Sequence, residues 1–283
     1  MVLRSIPRLT RPVWAGSALS ERYRKPPGEP YVGESWEVWR DNALLDLPAQ
    51  RLSDVVDFPL LIKLISTRDV LSVQVHPDDA TAHRHGAASG KAEAWVILEA
   101  AAGAEVALGL QREVSREDLH EMALSGAIER ELAWFPVRPG DVIDVPCGTI
   151  HAIGGGITLY EVQQPTDITW RLYDWGRGRE LHLDDALEVA LRTAAQAPAS
   201  RSGALIEGPI FHVMEAAAGE SGGSDWRALT CTTGALTVDG EPLLAGDTVL
   251  VAPGPVRLGG DGRGLWASST AHSARFLPSS RGS

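Results

Sequence analysis

The chain has 283 residues, which is enough for one large domain or two smaller ones. Its formal net charge is -11, and an acidic chain repels a polyphosphate backbone, so we predict no nucleic-acid partner. A small anionic ligand remains compatible with this charge if a local group of basic side chains binds it.

Cysteine use and hydropathy indicate where the protein works. Cys147 and Cys231 form no spacing motif, which favours a reducing compartment over a disulfide framework. The first residues, MVLRSIPRLTRPVW, lack the apolar core of a signal peptide. The longest apolar stretch, VVDFPLLIKLI, is interrupted by charge and proline and is too short to span a bilayer. We therefore predict a cytoplasmic protein that does not interact with membranes.

The first half of the chain alternates strand and helix signals. The first sixty residues mix short strand-like runs with turn signals, and residues 58–77, FPLLIKLISTRDVLSVQVHP, predict two strands joined by a polar turn. A helix is predicted directly after His76, with Pro77 in its first turn and Gly86 or Gly90 after its end. EAWVILEA then predicts a strand.

The second half is richer in strands. Residues 115–135 predict a helical segment that begins with a capping box at Ser115. Residues 137–164 predict short strands separated by glycine turns, and the triple glycine within them predicts a tight turn. Residues 181–196 predict a helix, and β character returns after residue 208. The sequence therefore predicts a mainly β fold, a barrel or sandwich with helical insertions, followed by a smaller β-domain.

One motif carries most of the chemical information. In PGDVIDVPCGTIHA, Gly140, Pro146, Gly148 and His151 follow the spacing G-x5-P-x-G-x2-H, which matches the second motif of the cupin superfamily. The first cupin motif commonly offers His-x-His followed by a glutamate. The corresponding residues here are Gln74, His76 and Glu93.

These four residues predict a metal site. Gln74 and His76 lie two apart on one strand, so their side chains share a face. With Glu93 and His151 from further strands, the set offers two imidazole nitrogens and two oxygen ligands. Such a set suits zinc or another divalent first-row ion. A lone histidine is more often structural, but four ligand types in cupin order favour the metal.

The other histidines offer no second site. His83 and His85 have His-x-His spacing, but residues two apart on a helix do not face each other, so we predict a solvated helix surface. The remaining four are predicted to be single and unpaired: His120, His182, His212 and His272.

Lysine use is uneven along the chain. The only lysines are Lys25, Lys63 and Lys91, and every other basic position is arginine. The two later lysines lie near the glutamine–histidine stretch, where a compact ammonium can have a specific role. Chance survival of scattered lysines explains the spacing equally well.

Several segments together resemble the type I mannose-6-phosphate isomerase family, in its shorter bacterial form. The match runs in order from about residue 11 to 190, and it includes the following segments: GESWEVW, FPLLIKLISTRDVLSVQVHPDD, GKAEAWVIL, VPCGTIHAIGGGITLYEVQQPTDITWRLYDWGR and RELH. The resemblance implies a cupin (jelly-roll) barrel with helical insertions and a second, degenerate cupin-like β-domain. With the linker-like composition of residues 197–208 and the β character after it, we predict a catalytic metal-binding domain at 1–196, a linker at 197–208 and a small β-domain without metal ligands at 209–283.

The resemblance also implies roles for individual residues. One Zn²⁺ ion, or another first-row divalent ion, would be held by Gln74, His76, Glu93 and His151. The residues at catalytic positions are Arg171, Glu161 and Lys91, and those at substrate-binding positions are Lys63, Ser72 and Trp14. Both later lysines thus fall at pocket positions, which favours a functional reason for them.

The implied activity is the interconversion of mannose 6-phosphate and fructose 6-phosphate through an enediol(ate). Three departures from the family pattern stand near the site: Ala92 replaces a threonine, Trp170 replaces a tyrosine, and the stretch between YDWGR and RELH is short. Three alternatives stay open. They are an iron-dependent cupin oxygenase, which Gln74 disfavours, a non-catalytic sugar-phosphate-binding protein, and an isomerase of a related sugar phosphate.

Overall fold

The computed structural model describes residues 1–195, 205–270 and 275–276. These residues divide into two compact units, each built from separate stretches of the chain. The first unit contains residues 1–66, 160–165 and the described part of 203–283, and the second contains residues 67–159 and the described part of 166–202. The predicted domain limits follow chain order instead, and they stay a prediction.

Strands dominate both units, which confirms the predicted mainly β class. The strands of the described residues are, in chain order, β1 (Val2–Leu3), β2 (Arg8–Thr10), β3 (Glu34–Val38), β4 (Val56–Asp57), β5 (Leu61–Ser66), β6 (Val73–Val75), β7 (Glu93–Ala100), β8 (Glu105–Leu110), β9 (Leu132–Pro136), β10 (Val142–Val145), β11 (His151–Ile153), β12 (Ile157–Gln163), β13 (Trp170–Tyr173), β14 (Leu205–Glu207), β15 (Phe211–Ala216), β16 (Gly219–Gly223), β17 (Arg227–Thr233), β18 (Ala235–Val238), β19 (Glu241–Leu244), β20 (Thr248–Val251), β21 (Gly254–Gly260), β22 (Arg263–Ser269) and β23 (Arg275–Phe276).

The helices of the described residues are short. They are α1 (Ala18–Glu21), a 3-10 turn (Leu52–Asp54), α2 (Asp79–Arg84), α3 (Arg116–Ser125), α4 (Ile128–Glu131) and α5 (Leu183–Val189). None of them is long and apolar enough to cross a membrane.

The helix after His76 forms as predicted, but it begins and ends differently. Asp78 is the N-cap, and its side chain accepts a hydrogen bond from the Thr81 amide, so Pro77 precedes the helix rather than opening its first turn. The helix ends at Arg84, and Gly86 follows with φ +78°, a conformation that glycine adopts without strain. Gly86, not Gly90, is therefore the glycine after its end.

The predicted helical segment at 115–135 is only partly helical. Ser115 caps α3 by accepting from the Asp118 amide, and Gly126 ends the helix with φ +80°. After the short α4, residues 132–136 form β9, which pairs with β8 through partners such as Val106 and Phe135. The prediction was wrong there because pairing with β8 supplies backbone hydrogen bonds and overrides local helix propensity.

The other predicted elements can be compared directly. The strands expected within 58–77, 93–100 and 137–164 are present, and so are those of the C-terminal part. The last predicted helix, at residues 181–196, is shorter than expected: α5 spans Leu183–Val189. Of the predicted linker 197–208, the structure describes only residues 205–208, and Leu205–Glu207 form β14. His272 lies outside the described residues.

In the second unit, one sheet carries most of the predicted ligands. It has the strand order β13-β6-β11-β8-β9, and β7 pairs separately with β10. Strands and helices of this unit share a buried apolar cluster. Its members include Val73, Val75 and Leu172 from strands and Leu119 and Leu187 from helices. The core thus fixes β6, which carries Gln74 and is followed directly by His76.

The described strands of the first unit form four groups. β3 lies between β2 and β5, and β23 pairs with β4. The remaining strands form two sheets that face a common core, with the orders β1-β20-β17-β22-β15-β14 and β16-β21-β18-β19. Leu229 and Trp266 of one sheet and Leu236 and Leu258 of the other share that core. We call these two sheets the C-terminal sandwich.

Candidate metal centre

The sheet register aligns three predicted site residues in one row. Gln74 on β6 is the cross-strand partner of His151 on β11 and of Arg171 on β13. Directly opposite residues in an antiparallel pair project from the same face of the sheet. His76 follows two residues after Gln74, on the same side of the strand.

Three side chains meet in a buried group, which we call the ligand cluster: His76, Glu93 and His151. One donor atom from each lies within 4.8 Å of the others, and all three residues are buried. His76 Nε2 is 3.5 Å from Glu93 Oε2, and His151 Nε2 is 3.5 Å from Glu93 Oε1. The carboxylate therefore lies between two imidazoles, with one oxygen toward each.

The orientation of His151 prepares one particular nitrogen for a metal. Its Nδ1 lies 2.9 Å from the carbonyl oxygen of Thr149. A carbonyl can only accept, so Nδ1 carries the proton and the lone pair is on Nε2, the nitrogen that faces Glu93. Fixing a metal-ligating imidazole through its second nitrogen is the usual arrangement in proteins. The edge of Trp95 also packs against the ring, with centroids 5.7 Å apart.

Lys91 touches two members of the ligand cluster. Its Nζ is 3.1 Å from His76 Nε2 and 3.2 Å from Glu93 Oε2, and the lysine is 4% exposed. The backbone brings it there: the Lys91 amide donates to the Pro77 carbonyl, and a Cβ on Gly90 would lie 2.6 Å from that same oxygen. Only glycine fits at position 90, which gives a physical reason for the Gly-Lys-x-Glu sequence.

Gln74 is held by a neighbour on its own strand. Its Nε2 donates to Ser72 Oγ at 2.9 Å, and Ser72 is buried. This bond uses the nitrogen end of the amide and leaves the carbonyl oxygen, the end that binds cations, outside it. Ser72 thus orients Gln74 in this structure, and its predicted contact with substrate stays a prediction.

The turn of the G-x5-P-x-G-x2-H motif is hydrogen-bonded to the segment that carries His76. The Gly148 amide donates to the His76 carbonyl at 2.8 Å, and Gly148 has φ +83°. A Cβ there would also lie 2.9 Å from the Val189 carbonyl oxygen. This glycine therefore sets the distance between the turn that leads to His151 and the segment that carries His76.

The donor set fits a divalent first-row ion. Two imidazoles and a carboxylate match the ligands that zinc takes in catalytic sites with an open position. Burial also favours a bound cation, because Glu93 is 1% exposed and buried charges in proteins are paired or bind metal. His76, Glu93 and His151 can hold the ion, and Gln74 stays a predicted fourth ligand.

Lys63 and Glu161, which belong to the first unit, form a second buried pair. Lys63 Nζ lies 2.9 Å from Glu161 Oε1, and both side chains are buried. The same ammonium is 4.9 Å from the ring centroid of Trp36. Trp14 is buried in this unit too, against Gly33, where an added Cβ would lie 2.9 Å from the Trp14 ring.

Arg171 is held at both ends by the chain that follows it. Its backbone amide donates to His182 Nδ1 at 3.2 Å, and its Nη1 donates to the Glu180 carbonyl at 2.6 Å. Burial and the nearby Arg179 lower the pKa of Arg171 from its usual value. The prediction that His182 is unpaired was wrong, because the bend after β13 brings its ring back to the strand.

His85 is exposed, as predicted, but it has partners that the sequence did not indicate. Its ring nitrogens face two carboxylates of α5, with Nδ1 3.4 Å from Asp185 and Nε2 3.0 Å from Glu188. Its ring packs edge-on against Trp170, at 5.0 Å between centroids. His83 is exposed, as predicted, and its Nε2 lies 2.9 Å from the Ala88 carbonyl. The contacts of His85 with Asp185, Glu188 and Trp170 join residues far apart in the chain and leave no signal in local spacing.

All three lysines are buried, and each pairs with a buried glutamate. The third pair, which the sequence reading did not single out, joins Lys25 and Glu37 at 2.7 Å, and Lys25 also donates to the Gly246 carbonyl. Burial raises the pKa of Glu37, and the neighbouring ammonium partly opposes that rise. Scarce lysine therefore marks buried ion pairs in general in this chain, and two of the three are at predicted site positions.

Comparisons with known proteins confirm the resemblance. Residues 40–94 match the model of the family described as phosphomannose isomerase type I, catalytic domain. A mannose-6-phosphate isomerase of Streptococcus mutans is 44% identical over 138 residues, which cover 47% of this chain and 43% of that protein. The chain thus spans less than half the length of this curated relative in the alignment.

Solved structures extend the likeness across the fold. The crystal structure of the mannose 6-phosphate isomerase from Bacillus subtilis has a TM-score of 0.80 and 25% identity, covering 94% of this chain and 99% of that one. A zinc-bound mannose 6-phosphate isomerase has a TM-score of 0.72 at 15% identity, covering 95% of this chain and 99% of that one. These matches confirm the cupin-like, mainly β fold.

Proposed function

We propose that this protein is a divalent-metal-dependent aldose–ketose isomerase that interconverts mannose 6-phosphate and fructose 6-phosphate. The observation that carries the proposal is the ligand cluster with Lys91 against it. A buried group of two histidines, one carboxylate and one ammonium is suited to stabilising negative charge on sugar oxygens. The likeness to mannose-6-phosphate isomerases in sequence and fold supports the choice of substrate.

We assign the metal to Gln74, His76, Glu93 and His151, and we take zinc as the ion. When bound, the ion supplies Lewis-acid polarisation of a substrate oxygen, an effect worth several kcal/mol in metalloenzymes. The Thr149 carbonyl keeps the His151 ring in the tautomer with its proton on Nδ1. Ser72 Oγ accepts from the Gln74 amide nitrogen and so fixes the orientation of that amide. The chain therefore provides both the ligands and the contacts that orient them.

The reaction moves a proton between the first two carbons of the sugar through an enediol(ate). Lys91 is placed to interact with oxygens beside the ligand cluster, and it and Glu161 are the candidates for the proton shuttle. Lys63 holds Glu161 in place, because its ammonium lies 2.9 Å from the carboxylate. Arg171 supplies a fixed positive charge for the developing oxyanion, and its link to the Glu180 carbonyl restricts its side chain.

We propose that substrate binding uses Lys63, Ser72 and Trp14, as the resemblance implies. A phosphorylated sugar needs positive charge, which the chain as a whole lacks, so the buried basic residues near these positions matter more than the net charge. We also propose that residues 1–196 carry the catalytic machinery, that 197–208 form a linker and that residues 209–283 supply no metal ligand.

We propose a cytoplasmic location and no nucleic-acid partner. Cys147 and Cys231 are both free thiols in the described structure, which suits a reducing compartment. Burial raises the pKa of Cys147 to about 11, so its thiol is largely protonated at neutral pH.

The test is turnover of mannose 6-phosphate by the purified protein, before chelation, after chelation and after zinc is restored. Loss and recovery of fructose 6-phosphate formation with the metal would support the proposal. Stoichiometric zinc binding without turnover of mannose 6-phosphate would overturn it in favour of a sugar-phosphate-binding protein or an isomerase of a related substrate. Turnover that survives complete metal removal would overturn the metal dependence.

A further inference from the structure

Arg227 faces the core of the C-terminal sandwich. It begins β17, and strand alternation puts its side chain on the same face as Leu229 and Cys231, both of which belong to the apolar core. Arg227 is 5% exposed. An arginine at a core-facing position is unusual, because a buried guanidinium is normally paired with an acid.

No acid pairs with this guanidinium in the described part of the chain. Its Nη1 donates to Ser221 Oγ at 2.9 Å, and the group lies over the Trp266 ring at 4.2 Å from the centroid. Nε and Nη2 are buried and have no protein acceptor among the described residues. Burial alone lowers the pKa of Arg227, with no carboxylate opposing it.

Arg179 of the same protein shows what this edge of a guanidinium binds when an acid is available. Its Nε donates to Asp174 Oδ2 at 2.7 Å, and its Nη2 donates to the other oxygen, Oδ1. The Nε and Nη2 edge is the planar fork that matches a carboxylate or a phosphate with two parallel hydrogen bonds. Arg227 presents the same two atoms without a partner from residues 1–195, 205–270 or 275–276.

The layer that covers the fork is thin and glycine-rich. β16 is the edge strand of its sheet, and it ends beside the guanidinium. A Cβ on Gly223 would lie 2.6 Å from Arg227 Nε, so a larger residue here would displace the guanidinium. Gly222 and Ser224 are exposed on the other side of this cover. A small displacement of this edge strand, which ends in two glycines, would open the fork to solvent.

We propose that the Nε and Nη2 atoms of Arg227 form a binding site for a small oxyanion, a phosphate or a carboxylate, at the end of the C-terminal sandwich. Such a ligand would neutralise the buried charge and complete its two missing hydrogen bonds, while Trp266 supports the guanidinium from its face. This site is separate from the ligand cluster and does not depend on the proposed isomerase activity.

The experiment is a titration of the ¹⁵N-arginine-labelled protein with inorganic phosphate at constant ionic strength, followed by side-chain NMR. The Arg227 Nε–H resonance is identified by its absence in Arg227→Gln. Because that variant can fail to fold, Ser221→Ala gives a second identification: it removes the acceptor of Nη1 and should displace the same resonance. Acetate is titrated in parallel, so that the two arms separate a phosphate site from a carboxylate site.

We expect a saturable shift of the Arg227 resonance, and a rise of about 3–6 °C in Tm at ten times Kd. The matched control is Arg263→Gln, which removes the same charge from an exposed position on β22 of the same sheet. It should keep the shift and the rise in Tm, whereas Arg227→Gln should lose the part of the rise that comes from this site. A resonance that neither anion shifts, or a shift that never saturates, would overturn the proposal.

Discussion

The ligand cluster and the C-terminal sandwich both put charged side chains at inward-facing strand positions, but they compensate the charge differently. In the ligand cluster, Glu93 lies within 3.5 Å of two imidazoles and of the Lys91 ammonium. In the sandwich, Arg227 has one hydroxyl and one aromatic ring and no acid among the described residues.

The difference shows how burial and function are related in this chain. Groups of opposite charge stabilise one another when buried, and the Lys25–Glu37 pair shows that such a pair by itself does not define a site. What distinguishes the ligand cluster is a set of donor atoms that converge on one point. What distinguishes Arg227 is a convergent pair of donors with no acceptor in the part of the chain that the structure describes. Four substitutions would break or sharpen this comparison.

The largest effect is expected from His151→Ala. Removing a convergent donor should lower metal affinity by at least about 100-fold, since even the loss of a group that only orients a ligand costs 10–100-fold. Isomerase turnover should be lost with the metal. Metal content of the purified protein and fructose 6-phosphate formation are the measurements. His212→Ala, on β15 of the sandwich, is the matched control and should retain both.

Leu229→Ala tests the sandwich as a packed core. Leu229 is fully buried, so the substitution should lower the free energy of unfolding by about 2–5 kcal/mol. Denaturant unfolding measures this, with the exposed Met214→Ala on β15 expected to change stability by less than about 0.5 kcal/mol. Metal affinity under native conditions should not change. A parallel loss of metal affinity would contradict the separation of the two regions.

Arg171→Ala separates charge stabilisation from metal binding within the ligand-bearing sheet. The variant should bind metal as tightly as the unmodified protein, while kcat falls by about 10²–10³-fold, as for the loss of one oxyanion-stabilising donor. The exposed Arg112→Ala serves as the control for loss of a positive charge. Full activity of Arg171→Ala would remove this residue from the mechanism.

The smallest effect concerns the helix that follows His76. The Thr81 amide lowers the pKa of Asp78, so the folded pKa lies below the unfolded one. The stabilisation is then present above the unfolded pKa and is lost as pH falls through the folded pKa. Asp78→Ala should cost about 1 kcal/mol at neutral pH and progressively less in acid. Unfolding measured across pH tests this, with Asp78→Asn as a cap that does not ionise. A cost that is independent of pH would exclude the ionised cap.

Local sequence predicted the elements whose determinants are close in the chain. The start of α3 follows from the Ser115 cap, the existence of α2 was predicted although not its cap, and the alternating pattern around Gln74 predicted β6. The sequence missed β9, because its backbone is satisfied by β8. It likewise missed the contacts of His85 and His182, whose partners lie on other elements.

The sequence by itself determined the types and order of the proposed ligands, since Gln74-x-His76 and the glycine–proline spacing before His151 are local features. Only the tertiary structure decided that His76, Glu93 and His151 converge, that Lys91 contacts two of them, and that Lys25 is buried against Glu37. It alone placed Arg227 in a core where its Nε and Nη2 have no acceptor among the described residues. The physical reason is that a side chain's charge is encoded in the sequence, whereas its partners and its burial depend on strand pairing between distant segments.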